Sequence, residues 1–258
     1  MLSLDQLNKF YRRGYIKLNS VFSIKQAEQM QDLIWSSLEQ QYAIDRNDVA
    51  SWNRVQLPHR VQHLRGNEVF QPIGGPNVIE SINQLLGVGQ WKKPWHWGQF
   101  LIGFPTSSTF DVPHQIWHTD FGFETSQVDL TGVLIFSVIS DVLAEGGGTL
   151  VIDGSHLVMQ NFVQTLPKET RSIMERVRNA FYTSHPWLQK LTNSHDPEDR
   201  IKYFMQDSND IDGVPVKVSQ IKGKAGDVVV THPWLLHASS PNCTDQVKMM
   251  RVHRIHRK

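Results

Sequence analysis

Two histidines and an aspartate dominate the chemistry open to this chain. His118-Thr119-Asp120 lies in the run VPHQIWHTDFGFE, and in an extended segment the alternation of a strand sends both ligand side chains to one face. Two imidazoles and one carboxylate on one side of an ion leave the opposite positions open, which suits an iron(II) that must bind a cosubstrate and oxygen. The pair alone carries little weight. With twelve histidines in 258 residues, chance supplies roughly 0.7 histidine-any-aspartate pairs. The second histidine must come from elsewhere, and the run GKAGDVVVTHPWLLHASSPN offers His232 and His237 on an apolar strand that Gly226-Asp227 opens and Pro241-Asn242 closes. Their odd separation reverses strand face, so a continuous strand presents only one of them to the ion.

The elements around these segments are readable from their periodicity. Leu4, Leu7, Phe10 and Tyr11 recur at helical spacing up to Gly14, Tyr15 to Val21 alternates as a short strand, and Ser23 with Gln26 resembles a capping box opening a helix to about Gln40. The turn-rich QPIGGP (Gln71 to Pro76) precedes a short helix over Val78 to Leu86. Beyond Gly87 the β-prone runs are Trp97 to Phe104, Gly132 to Ile139, Thr149 to Ile152, Asp227 to Thr231 and Met249 to Ile255. Short punctuated strands with little helix between them predict a mainly β fold with helical additions, antiparallel and of the jelly-roll, cupin-like kind. Leu157 to Lys224 breaks the pattern, with helical spacing over Glu169 to Phe181 and a polar, acidic stretch from Asn193 to Asp212. It reads as an insertion at about 157–224, either a lid or binding loop or a passive surface decoration. One domain over 1–258 is the expectation.

Composition narrows the function classes. Twenty-six basic against twenty-five acidic side chains leave a formal charge of +1, so no global field points to nucleic acid or an anionic membrane. The two lysines of WKKPWHW are too few for a single-strand groove. The longest apolar stretch, GVLIFSVI, is far short of the roughly 20 residues that span a bilayer. The N-terminus lacks the apolar core of a signal peptide. The single cysteine, Cys243, excludes an internal disulfide and a cysteine zinc cage. A cytoplasmic protein acting on a small molecule is expected.

Three segments in order carry a family resemblance: His118-Thr119-Asp120, then GGGTLVIDGSH ending in Gly154-Ser155-His156, then His237-Ala238-Ser239-Ser240-Pro241-Asn242. Together they resemble the phytanoyl-CoA dioxygenase family, a branch of the iron(II)- and 2-oxoglutarate-dependent oxygenases. The opening helix, Gly-Tyr strand and second helix are similar too, so the resemblance spans most of the chain outside the insertion. It implies a double-stranded β-helix in which His118, Asp120 and His237 hold Fe(II), with 2-oxoglutarate and O2 as cosubstrates and succinate and CO2 released. Hydroxylation of a C–H bond is the reaction expected, with desaturation and ring rearrangement as variants. His232 then becomes a strand neighbour and His156 a structural residue.

The far carboxylate of 2-oxoglutarate needs a fixed cation, preferably an arginine fork, and the resemblance places it on the final strand. Lys248, eleven residues after His237, takes that place without a gap, whereas Arg251 requires a longer loop. The two point to opposite faces of a regular strand, with Arg254 on the face of Lys248. Ser239 matches the family serine that assists this carboxylate, and Gln99 lies where the family lines the cosubstrate pocket. Trp117 adjoins the metal pair. Two rival readings stand beside the oxygenase: a non-catalytic binding protein on the same scaffold, and a zinc hydrolase with water in the open position.

Overall fold

Capping residues fix the first helices. In the computed structural model, which describes residues 1–52, 61–123, 130–194 and 199–258, capping boxes form at Ser3/Gln6 and Ser23/Gln26. They open α1 (Leu4–Arg13) and α2 (Ile24–Tyr42). Gly14 ends α1 with φ 90°, and a Cβ there would sit 2.7 Å from His156 Nδ1, so both conformation and packing demand glycine. The chain continues through β1 (Tyr15–Leu18), the short α3 (Val49–Trp52) and α4 (Pro76–Leu86), which starts on a proline at its first turn.

The strands that follow are β2 (Gln99–Gly103), β3 (Gly132–Val138) and β4 (Leu150–Asp153). Four helices come next: α5 (Ser155–Thr165), α6 (Lys168–Arg171), α7 (Met174–Thr183) and α8 (Pro186–Thr192). The chain closes with β5 (Asn209–Ile211), β6 (Val214–Gln220), β7 (Val228–Thr231), β8 (His237–Ala238) and β9 (Lys248–His256). Among the described residues they make two antiparallel sheets, ordered β1-β7-β3-β9-β2 and β5-β6-β4-β8. No described helix is long and apolar enough to cross a membrane.

Register decides which side chains can meet. In the five-stranded sheet, Phe136 pairs with Val252 and Val229, and Leu101 with Met250. Directly paired residues share a face, and this one joins a core with Val151, Ala238 and the helices α5, α7 and α8. The reverse face carries Val133, Ile135, Phe100, Ile102 and Met249, and packs against the N-terminal helices. Lys248, Met250, Val252 and Arg254 therefore look between the sheets, while Arg251 and His253 look away.

The expected insertion needs a correction at its end. Helices do occupy its first part, with a break at Ser172–Ile173 dividing the expected 169–181 helix into α6 and α7. Its last part, however, supplies β5 and β6, and β6 pairs along the whole of β4. The signal is weak because VPVKVSQ buries only Val216 and Val218, with Pro215 and Lys217 facing solvent. Residues 195–198 of the polar stretch lie outside the described residues.

Candidate metal centre

The backbone brings His118 and His237 together. They form an isolated antiparallel bridge in which each N–H donates to the other's carbonyl at 3.0 Å, and their rings lie 4.2 Å apart. The strand expected through His118–Asp120 is thus reduced to one bridge, and Asp120 reaches the same side through the bend that follows. Each ring is oriented by a carbonyl two residues upstream, His118 Nδ1 by Ile116 O at 2.8 Å and His237 Nδ1 by Leu235 O at 3.1 Å. A carbonyl accepts only from N–H, so Nδ1 carries the proton and Nε2 keeps its lone pair for a metal. Asp120 Oδ2 lies 3.7 Å from His237 Nε2, and one ligand atom from each residue falls within 4.8 Å of the others. Donors about 2.0–2.2 Å from a shared ion stand at comparable separations, so the three residues fit one metal.

Ile116 shows how tightly this loop is held. It adopts φ 64°, a left-handed conformation that β-branched residues rarely tolerate, and its carbonyl is the one that orients His118. The neighbouring turns are pinned from three directions. The Trp117 indole donates to Pro113 O at 2.7 Å, Tyr182 of α7 donates to Trp117 O at 2.5 Å, and buried Arg200 donates to Val112 O at 2.8 Å. Trp117 is therefore an anchor of the loop.

Charge at the centre favours a bound cation. Burial opposes ionisation of Asp120, yet the hydrogen bond and charge of His237 in its doubly protonated, metal-free form, together with Arg254, pull its carboxyl down to about 2. Burial, then the charge of His237, lowers His118, so its imidazole is readily neutral. Arg254 Nη2 donates to Asp120 Oδ1 at 2.8 Å, which leaves Oδ2 turned toward His237. Replacing Arg254 by leucine is expected to weaken metal binding about tenfold, the usual scale for a partner behind a ligand. Competition with a chromogenic chelator measures this, and an unchanged affinity would remove the role.

The other candidate residues separate by face. Lys248 is buried between the sheets, donates from Nζ to Gly147 O at 2.7 Å, and has no carboxylate partner among the described residues. Burial pushes its ammonium down to about 8. Arg251 lies on the opposite face, wholly buried with its guanidinium 4.4 Å from the Phe70 ring and 4.5 Å from the Phe100 ring. It donates to the carbonyls of Arg65 and Gly98. The expectation that it could serve as the carboxylate-binding cation is corrected on this ground, because alternation along β9 turns it away from the ligands. Gln99, paired with Val252, shares the metal face and lines a cavity of about 200 Å³ with Asp120 and Arg254. Ser239 is exposed just beyond β8.

The family model for phytanoyl-CoA dioxygenase (PhyH) matches residues 10–250. The chain belongs to the phytanoyl-CoA dioxygenase family. Among curated proteins none matches the sequence significantly. Among solved structures, the chain resembles the non-haem α-ketoglutarate-dependent carbocyclase SnoK from nogalamycin biosynthesis at 16% identity. That match has a TM-score of 0.57 and covers 99% of this chain and 84% of the other. HygX from Streptomyces hygroscopicus, crystallised with nickel and 2-oxoglutarate, is 13% identical with a TM-score of 0.56, covering 100% and 88%. At these identities the likeness shows a shared fold.

In this phytanoyl-CoA dioxygenase family member the Gly-Ser-His segment acts as a clamp. Gly154 N–H donates to Arg13 O, the His156 imidazole bonds Tyr11 O at 2.9 Å, and Ser155 Oγ accepts from Leu236 N–H at 3.0 Å. It ties the end of α1 and the end of β4 to the residue preceding His237. His156 packs against His232 in a tilted pair at 4.6 Å between ring centroids, and burial lowers His156 to about 4 and His232 well below its usual value. Both are neutral packing residues. The roles of Tyr182, Arg200 and the Arg254 contact with Asp120 leave no trace in the sequence, because no local pattern reports a side chain that reaches a carbonyl or carboxylate more than sixty residues away.

Proposed function

We propose that this chain is an Fe(II)- and 2-oxoglutarate-dependent dioxygenase on a double-stranded β-helix, a single domain that hydroxylates an unactivated C–H bond of a small molecule. The observation that carries this reading is the triad of His118, Asp120 and His237, with both Nε2 atoms free, on the same face as a buried lysine that lacks a counter-ion among the described residues. When bound, iron and 2-oxoglutarate supply the oxidising power drawn from O2, with succinate and CO2 as products.

The protein's own part is orientation and enclosure. Carbonyls of Ile116 and Leu235 hold the two imidazoles, and Arg254 holds the carboxylate. Lys248 receives the far carboxylate of 2-oxoglutarate as a point charge rather than a fork. Lys248 Nζ bonds Gly147 O and Ser240 Oγ bonds Gly148 O, which brings the lysine to the segment where β8 ends. A zinc hydrolase would leave this buried ammonium without a use. Helices α5, α7 and α8, which share the core around the sheets, close the site from outside and exclude water.

The test is turnover of 2-oxoglutarate to succinate. The expected result is release that requires Fe(II) and oxygen together and rises with a hydroxylated product when a metabolite panel reaches the true substrate. Hydrolysis of a substrate without oxygen or 2-oxoglutarate would contradict the proposal.

A further inference from the structure

Arg178 is an unused guanidinium beside the metal centre. It lies on α7 one turn before Tyr182, so the two side chains occupy one helix face. The Tyr182 hydroxyl is bound to Trp117 O, one residue before His118, which presses that face against the ligand loop. The charge of Arg178 acts on both His118 and Tyr182. The arginine is half-buried and has no ion pair or hydrogen bond among the described residues. Asp120 is already engaged, by Arg254 at Oδ1 and by His237 near Oδ2.

A second guanidinium stands at the rim. Arg65 is exposed, lies over the Trp95 ring at 5.8 Å and lines the cavity beside Asp120 and Gln99. Arg65 and Arg254 thus line the cavity beside the carboxylate of Asp120, which the metal and Arg254 share, and Arg178 stands on the α7 face that meets the ligand loop. Lys248 is separate from this group. It is buried near Gly147 O, toward the start of β9, whereas Arg254 lies six residues further along the strand. A positive rim over a centre whose own acid is consumed favours an anion arriving from solvent.

We propose that Arg178 is a specificity residue that grips an anionic group of the substrate, a carboxylate or a phosphate, and that the enzyme acts on anionic small molecules. This rests on the oxygenase reading, and the experiment separates the two. Protein loaded with nickel is titrated first with 2-oxoglutarate, which tests the cosubstrate site by itself. The loaded protein is then titrated with hexanoate, hexyl phosphate and hexanol.

The expected result is that at least one anion binds about tenfold or more tighter than hexanol, the scale of a charged hydrogen bond, and the better anion identifies the group. Arg178→Gln should lose that preference while keeping its affinity for hexanol and for 2-oxoglutarate, and Arg178→Lys should retain most of it. No preference for either anion in the wild type, or a preference that survives in Arg178→Gln, would overturn the proposal. Loss of 2-oxoglutarate affinity in Arg178→Gln would overturn it too, by assigning the guanidinium to the cosubstrate.

Discussion

Alanine at His118, Asp120 or His237 is expected to lower metal affinity by more than about a hundredfold, beyond what partners behind the ligands contribute, and to reduce succinate release to background. The fold should survive, because the bridge between residues 118 and 237 is made by backbone N–H and C=O groups and alanine keeps both. Asp120→Ala carries a second consequence, since it leaves Arg254 without its partner and places a free positive charge beside the two imidazoles. Equilibrium dialysis with Fe(II) or Ni(II), circular dichroism and succinate assays report the three effects separately. Wild-type-like succinate release from the His118 and Asp120 variants would refute the ligand assignment.

Lys248→Met is expected to weaken 2-oxoglutarate binding by about a hundredfold while leaving the metal in place, since a charge-assisted contact to a buried carboxylate contributes about 1.5–3 kcal/mol. The pH dependence has a definite sign. With the ammonium pushed down to about 8, cosubstrate affinity in the wild type is full below that pH and falls as pH rises through it, up to about tenfold per unit. The free protein behaves oppositely. Its unfolded state holds the lysine proton up to about 10.5 while the folded state releases it near 8, so folding stability rises with pH across that window, by about 3 kcal/mol in all. Lys248→Met removes both trends and stabilises the apo protein, because a buried ammonium without a counter-ion is replaced by an apolar chain of similar length. Calorimetric titration at pH 7 to 10 and thermal unfolding over the same range measure them, and pH-independent binding in the wild type would exclude Lys248 from the cosubstrate site.

Much of the fold and of the candidate metal centre is legible in the amino-acid sequence. The capping residues Ser3, Gln6, Ser23 and Gln26 act as their spacing predicts, because caps are local chemistry. Five apolar runs form β2, β3, β4, β7 and β9, because burial, complete on both faces in β3 and β7, leaves a hydrophobic signature. Alternation along β9 correctly sets Arg251 against Lys248 and Arg254. What escapes is of another kind. The strand β6 is hidden by its polar outward residues, and β8 by having only two residues. Arg254 can be placed on the right face but not assigned its partner, because the ion pair with Asp120 spans 134 residues. Periodicity reports the face a side chain takes, and only the fold reports what it meets there.

The most direct measurement is an anaerobic titration of the iron(II)-loaded protein with 2-oxoglutarate, followed in the visible spectrum. Chelation of iron by the 2-oxo acid within a site made by His118, Asp120 and His237 predicts a weak charge-transfer band that saturates at one 2-oxoglutarate per chain and is missing from Asp120→Ala. A folded, iron-loaded wild type that shows no band would contradict the account.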